Sequence, residues 1–172
     1  MKKFSRIDGG FSLVEVALAM GIASFCLVTL MALLPVGIQS YQQADNQSAM
    51  VNLATMVVRD LQATPTGTGT QTSPRFGFQV PAAGGGATSS ASPITLYVDA
   101  SGIASGMAPG SAPNASSIYR ISVFFTPPGA GLRMATTARI WITFPANADP
   151  SPGTAPTNYT TMFETTISLN RN

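Results

Sequence analysis

The hydrophobic pattern changes character twice along the chain. From Val16 to Leu34, 19 consecutive residues carry no charge and nearly all are apolar, VALAMGIASFCLVTLMALL. That is close to the ~20 residues needed to cross a bilayer core, and longer than the roughly 7–15 apolar residues of a secretory signal. No small-x-small cleavage pattern follows it, because Leu33, Leu34 and Pro35 stand there. The run therefore predicts a retained membrane helix. Pro35 and Gly37 interrupt the pattern and predict a kink or an end, since proline removes a helical hydrogen bond. Gln39–Gln43 is polar, as expected where a helix leaves lipid. Beyond it Met50, Leu53, Val57 and Leu61 recur at helical spacing, with Ala54 and Val58 on the same face. Asn46, Asn52, Arg59 and Asp60 lie largely elsewhere. The spacing predicts a second, amphipathic helical half from about Ala44 to Ala63, ended near Pro65.

After residue 65 the period becomes two. Strands are predicted at Arg75–Val80, Ile94–Asp99, Ile118–Phe125, Thr137–Phe144 and Met162–Leu169. In the fourth, Ala138, Ile140, Ile142 and Phe144 alternate with Arg139, Trp141 and Thr143. In the last, Phe163, Thr165, Ile167 and Leu169 alternate with Met162, Glu164, Thr166 and Ser168. Such alternation suits antiparallel strands with one buried face, here packed on the Met50–Leu61 stripe. The intervening stretches Pro81–Pro93, Ala100–Ser117 and Ala146–Asn158 are rich in Gly, Pro and Ser and predict surface loops or poorly ordered insertions. Partner specificity is expected there, because recognition concentrates on loops carried by a scaffold. The predicted fold class is α+β, a long N-terminal helix packed on a small antiparallel β-sheet head.

Charge sharpens this picture. Charged residues are only 9% of the chain, against about a quarter in ordinary domains. Lys2, Lys3 and Arg6 against Asp8 account for the whole net charge of +2. The remainder is neutral, with no basic stripe, so nucleic-acid binding is not predicted. The basic end is expected on the cytoplasmic side of the membrane. Cys26, the sole cysteine, excludes an intramolecular disulfide and reads as a small apolar residue.

Glu15 stands at the border of the apolar run. A carboxylate at the bilayer centre costs roughly 2.5–3.5 kcal/mol on insertion scales. Near the helix start the cost falls, and the helix dipole favours an acid in the first turn. One reading is thus an interfacial charge. The residues around it supply another. The string Gly9-Gly10-Phe11-Ser12-Leu13-Val14-Glu15-Val16 resembles the prepilin peptidase site of type IV pilins and type II secretion pseudopilins: a short basic leader, a glycine, an aromatic, a small hydroxyl residue, two aliphatics and a glutamate. The resemblance covers roughly the first 38 residues. It implies cleavage between Gly10 and Phe11, methylation of the new Phe11 amine, and a role for Glu15 in filament assembly, pairing with the free amine of a neighbouring subunit. Gly10 suits a cut site because its bare backbone admits a protease closely. The implied organisation is a leader (1–10), a transmembrane and filament-core helix (11–38) spanning the membrane between Val16 and Leu34, an amphipathic half (39–64) and a β-rich extracytoplasmic head (65–172).

Within that family the C-terminal cysteine pair of major pilins and the acidic calcium site of major pseudopilins are missing. The stretch Leu33–Gly37 with the Asn52–Leu61 helix is most similar to the minor PilV and pseudopilin I type, and to the pilin-like proteins of Verrucomicrobia-type cassettes (cassette protein B). The resemblance implies a minor subunit with other pilin-like subunits, a prepilin peptidase, an inner-membrane assembly platform and membrane lipid as partners. It implies a bacterial inner-membrane location with the head in the periplasm, or incorporation into a filament. The competing expectation is a membrane-anchored binding module outside any filament. Enzyme activity is not expected: there is no histidine, no paired carboxylates and no phosphate loop at Gly84–Gly86. No cofactor or metal is expected. Asn114 and Asn158 fall in glycosylation sequons of the kind that arise by chance in Asn/Ser/Thr-rich chains. Phe124, Phe125 and Trp141 could stack on bases, but strand core or sheet surface is the favoured reading without a basic groove.

Overall fold

The computed structural model describes residues 10, 12–67, 69–82, 92–104, 108–128 and 135–170. The chain divides into two compact units, Met1–Gln42 and Gln43–Asn172. Helix α1 runs from Leu13 to Ala63 without interruption. The helix does not end at Pro35, and the amphipathic stretch expected from about Ala44 to Ala63 is its second half. Pro35 forfeits a single intrahelical hydrogen bond, and Leu, Met and Ala around it are strong helix formers. The run's hydroxyls also turn back on the helix. Ser24 Oγ donates to Met20 O at 2.8 Å and Thr29 Oγ1 to Cys26 O at 2.8 Å, so neither is left unpaired in an apolar stretch.

In the second unit, strands β1 (Gln71–Thr72) and β2 (Gln79–Val80) form a small antiparallel pair. Strands β3 (Ile94–Val98), β4 (Tyr119–Thr126), β5 (Thr136–Phe144) and β6 (Thr161–Leu169) form an antiparallel sheet in that order. The α+β architecture expected from the period change is the one observed. The predicted strand at Arg75–Val80 survives only as its last two residues. Its apolar alternation comes instead from a turn. Ser73 N donates to Phe78 O and Gly77 N to Ser73 O, at 2.8 and 3.1 Å, with Gly77 at φ 73°. Both Phe76 and Phe78 are buried by this turn.

The core joins one stripe of α1 to one face of the sheet. Met50, Leu53, Ala54, Val57 and Leu61 cluster with Leu96, Val98, Ile121, Val123, Phe125, Ala138, Ile140 and Ile142. These are the stripe and the strand faces that the two periodicities select. The fit is close at Gly102, where φ is +71° and a Cβ would lie 2.5 Å from Leu53 Cδ2.

Two residues placed off the buried stripe of α1 turn out to tie it to the head. Asn46 Oδ1 accepts from the Tyr119 hydroxyl at 3.1 Å. Asp60 is buried, and its two carboxylate oxygens accept the backbone N–H groups of Arg75 (2.7 Å) and Phe76 (3.1 Å). A carboxylate at the rim of a helical stripe is normally solvated; here it satisfies donors that the tight turn before β2 leaves unpaired. Asp60→Ala orphans both. It is expected to destabilise the head by about 2–3 kcal/mol, read as a lowered midpoint in thermal or denaturant unfolding of the full chain.

Candidate functional site

The N-terminal signature falls partly within the described residues. Gly10 is exposed, and a Cβ there would meet nothing within 4 Å. Among the described residues no packing contact calls for glycine at this position. Phe11, expected to carry the cleaved and methylated amine, lies outside the described residues. Ser12 is the N-cap of α1: its Oγ accepts from Val14 N at 3.3 Å, and its carbonyl accepts from Glu15 N and Val16 N at 2.9 and 3.2 Å. That places Glu15 third in the helix, at the acidic position of a Ser-x-x-Glu pattern, with the Ser12 hydroxyl accepting from the second helical N–H. The pattern was present in the sequence, where Ser12 registered only as a motif position. It gives Glu15 a local role beside its implied intermolecular one, as an acid favoured by the helix N-terminus.

Glu15 is exposed and borders a shallow groove of about 440 Å³ lined by Val16, Ala19, Met20 and Ala23. From Val16 to Leu34 no side chain is buried in this chain. Leu18, Met20, Phe25, Val28, Leu30, Met31 and Leu33 are each more than 60% exposed. At 1.5 Å per residue, 19 residues cover roughly 28 Å, close to the ~30 Å hydrocarbon core of a bilayer. The helix is long and apolar enough to cross a membrane. Cys26 is exposed on it, unpaired.

In the head, the 146–158 segment is not a loosely held insertion. It is fastened by Arg120, a residue of the outward-pointing set on β4 whose side chain is fully buried. The guanidinium donates to the carbonyls of Asp149 (3.1 Å), Ser151 (3.3 Å) and Thr154. The Tyr97 hydroxyl also donates to Asp149 O, at 2.8 Å. The Asp149 carboxylate accepts from the backbone of Thr157 and Asn158 at 2.8 and 2.7 Å and lies 3.8 Å from Arg120. Nothing in the alternation of β4 distinguishes Arg120 from a solvated charge, so sequence reasoning passed over it. Asn158, a sequon residue, donates through Nδ2 to Asp149 Oδ1, and the other, Asn114, accepts from Ser116 and Ser117.

On the open part of the sheet's outer face, Trp141 packs edge-on against Phe124 with centroids 5.0 Å apart, and Arg139 lies 4.4 Å over its ring. Arg139 also pairs with Glu164 and holds that carboxylate below its ordinary range. Phe124 and Trp141 are thus sheet-surface residues covered by their neighbours, while Phe125 is core. A cleft of about 460 Å³ lies between Gly77, Ile94, Thr95, Pro109 and Gly153, and no charged side chain lines it. Among the described residues no three His, Cys, Asp or Glu side chains gather as a metal site. No protein-family model, curated protein or solved structure matches the chain.

Burial pushes the Asp149 pKa up, but the N–H groups of Asn158 and Thr157, the Thr157 hydroxyl and Arg120 together outweigh it and pull it below 3.8. A depressed folded-state pKa contributes stability above the unfolded value that is lost as pH falls through the folded value. Thermal unfolding is therefore expected to hold steady above pH 3.8 with respect to this group and to weaken below it, and Asp149→Asn should flatten that acid-side fall.

Proposed function

We propose that the chain is a minor pilin or pseudopilin, a structural, non-enzymatic subunit of a type IV pilus or type II secretion-like filament. In this reading prepilin peptidase cuts between Gly10 and Phe11, the Phe11 amine is methylated, and the subunit enters the filament through its N-terminal helix. Before assembly it resides in a bacterial inner membrane with its head in the periplasm. The observation that carries the reading is the Gly10–Phe11–Ser12–Leu13–Val14–Glu15 signature set directly against the apolar stretch Val16–Leu34, in which no side chain is buried.

Three features support it. Among the described residues a Cβ at Gly10 would meet nothing within 4 Å, and a bare backbone there suits close approach of a protease. The anchor's side chains find no cover in their own chain, and burying each large one is worth about 1.5–3 kcal/mol; lipid first, then neighbouring helices, would supply that. Glu15 is exposed in that apolar setting, where a cation from another subunit would offset its desolvation. The alternative, a membrane-anchored binding module, shares the helix but gives the signature no purpose.

Mass spectrometry of the native protein separates the two. The filament reading expects a chain starting at Phe11 with a methylated amine; a plain anchor keeps Met1. Glu15→Ala is expected to be processed normally and to enter filaments at a level lowered by roughly tenfold or more, equivalent to at least about 1.4 kcal/mol of lost interaction. Wild-type incorporation of that variant would remove Glu15 from assembly.

A further inference from the structure

Cutting a peptide bond requires the enzyme to place its own polarising groups on the carbonyl oxygen. For a cut between Gly10 and Phe11 that oxygen is Gly10 O. A helix running through this point would claim it first, because each helical carbonyl accepts from the N–H four residues on. The rival donor for Gly10 O is therefore Val14 N. In this chain Val14 N donates instead to the Ser12 hydroxyl, at 3.3 Å. Glu15 N and Val16 N both turn to the Ser12 carbonyl, at 2.9 and 3.2 Å. Among the described residues no backbone hydrogen bond reaches Gly10 O, and Gly10 is exposed. Helix α1 begins at Leu13, with only Phe11 and Ser12 between it and the cut.

The sequence offers the helix an earlier start. Asp8 is itself a favoured capping residue. With Asp8 as the cap, the first turn would hold Gly9, Gly10 and Phe11, and the bond to be cut would lie inside the helix. The adjacent glycines weaken that longer helix, since glycine is the poorest helix former after proline. They do not remove the donor that would close it over the cut. The Ser12 hydroxyl does.

We propose that Ser12 is a positioning residue for processing: by capping α1 through Val14 N it keeps the Gly10 carbonyl open to the peptidase. This rests on the filament-subunit reading and adds a physical reason for the small hydroxyl residue in the signature. It also separates two neighbours in the motif, with Ser12 acting before the cut and Glu15 after it. The inference is distinct from direct recognition of the hydroxyl by the peptidase, because any side chain that caps the helix should serve.

The test follows leader removal from the full-length chain in membranes that contain its own peptidase. Wild type is compared with Ser12→Asn, Ser12→Thr, Ser12→Val and Ser12→Ala. Asn caps as well as Ser and Thr nearly so, whereas Val keeps the shape of Thr without an acceptor and Ala has none. The expected order follows capping: Asn near wild type, Thr close behind, and Val and Ala slower by about fivefold, the weight of one cap. Uncut chain in lipid gives a second readout. The Gly10 carbonyl resonance is expected to move towards its helical value in Ser12→Ala and to stay in place in Ser12→Asn. Cleavage of Ser12→Ala at the wild-type rate, or an unmoved Gly10 resonance in it, would overturn the proposal. So would normal cutting of Ser12→Thr with loss of Ser12→Asn, which marks a hydroxyl read by the enzyme itself. Wild type left uncut at Gly10–Phe11 removes the filament reading and this inference with it, a result seen before any variant is compared.

Discussion

Side-chain burial is the constraint on which the rest of this structure depends, because α1 satisfies its backbone along its whole length but its side chains over only part of it. From Met50 to Leu61 the helix finds a sheet face, and Met50, Val57 and Leu61 are almost wholly withdrawn from water. From Leu13 to Leu34 no side chain is buried among the described residues. The sheet thus covers the second part of the helix and leaves the apolar stretch before it exposed. A continuous helix is the one backbone that tolerates both circumstances, since its hydrogen bonds are internal whether lipid or protein surrounds it. Ser12 at its start and the back-bonded Ser24 and Thr29 extend the same economy to the polar groups.

Within the head, the connections are fixed by buried polar groups, whereas the sheet and helix are fixed by apolar ones. Asp60 fastens the turn before β2, and Arg120 with Asp149 fastens the segment between β5 and β6. Each is a charge whose partners are mostly backbone groups. That choice suits segments rich in Gly, Pro, Ser and Thr, which offer few apolar side chains but many carbonyl and N–H groups. A buried charge is costly unless such partners surround it, so each of these residues ties its loop to one conformation.

What was legible in the sequence follows from the same division. Periodicity exposes apolar faces, so the stripe from Met50 to Leu61 and the inward faces of β5 and β6 could be read directly. It says nothing about where a polar residue finds its partner. Asp60 fell off the apolar stripe and Arg120 gave no signal, because their partners are backbone groups far away in sequence, 15 to 34 residues distant. Arg75–Val80 misled in the opposite sense, since Phe76, Phe78 and Val80 keep a two-residue period although a turn rather than a strand buries the first two. At the N-terminus the signature was legible as a string of residue types, and the Ser12 cap adds a local reason for two of them.

The sheet's two edges end differently. At the β3 edge Val98 bridges to Ala104 and Thr95 O accepts from Gly110 N, so the chain supplies backbone partners on that side. Among the described residues β6 has no such backbone partner beyond β5. Its inward residues Phe163, Thr165 and Ile167 are only half-buried, whereas Ile142, Ile140 and Ala138 beside them on β5 are fully buried. The apolar face that the helix stripe covers therefore runs out one strand before the sheet does.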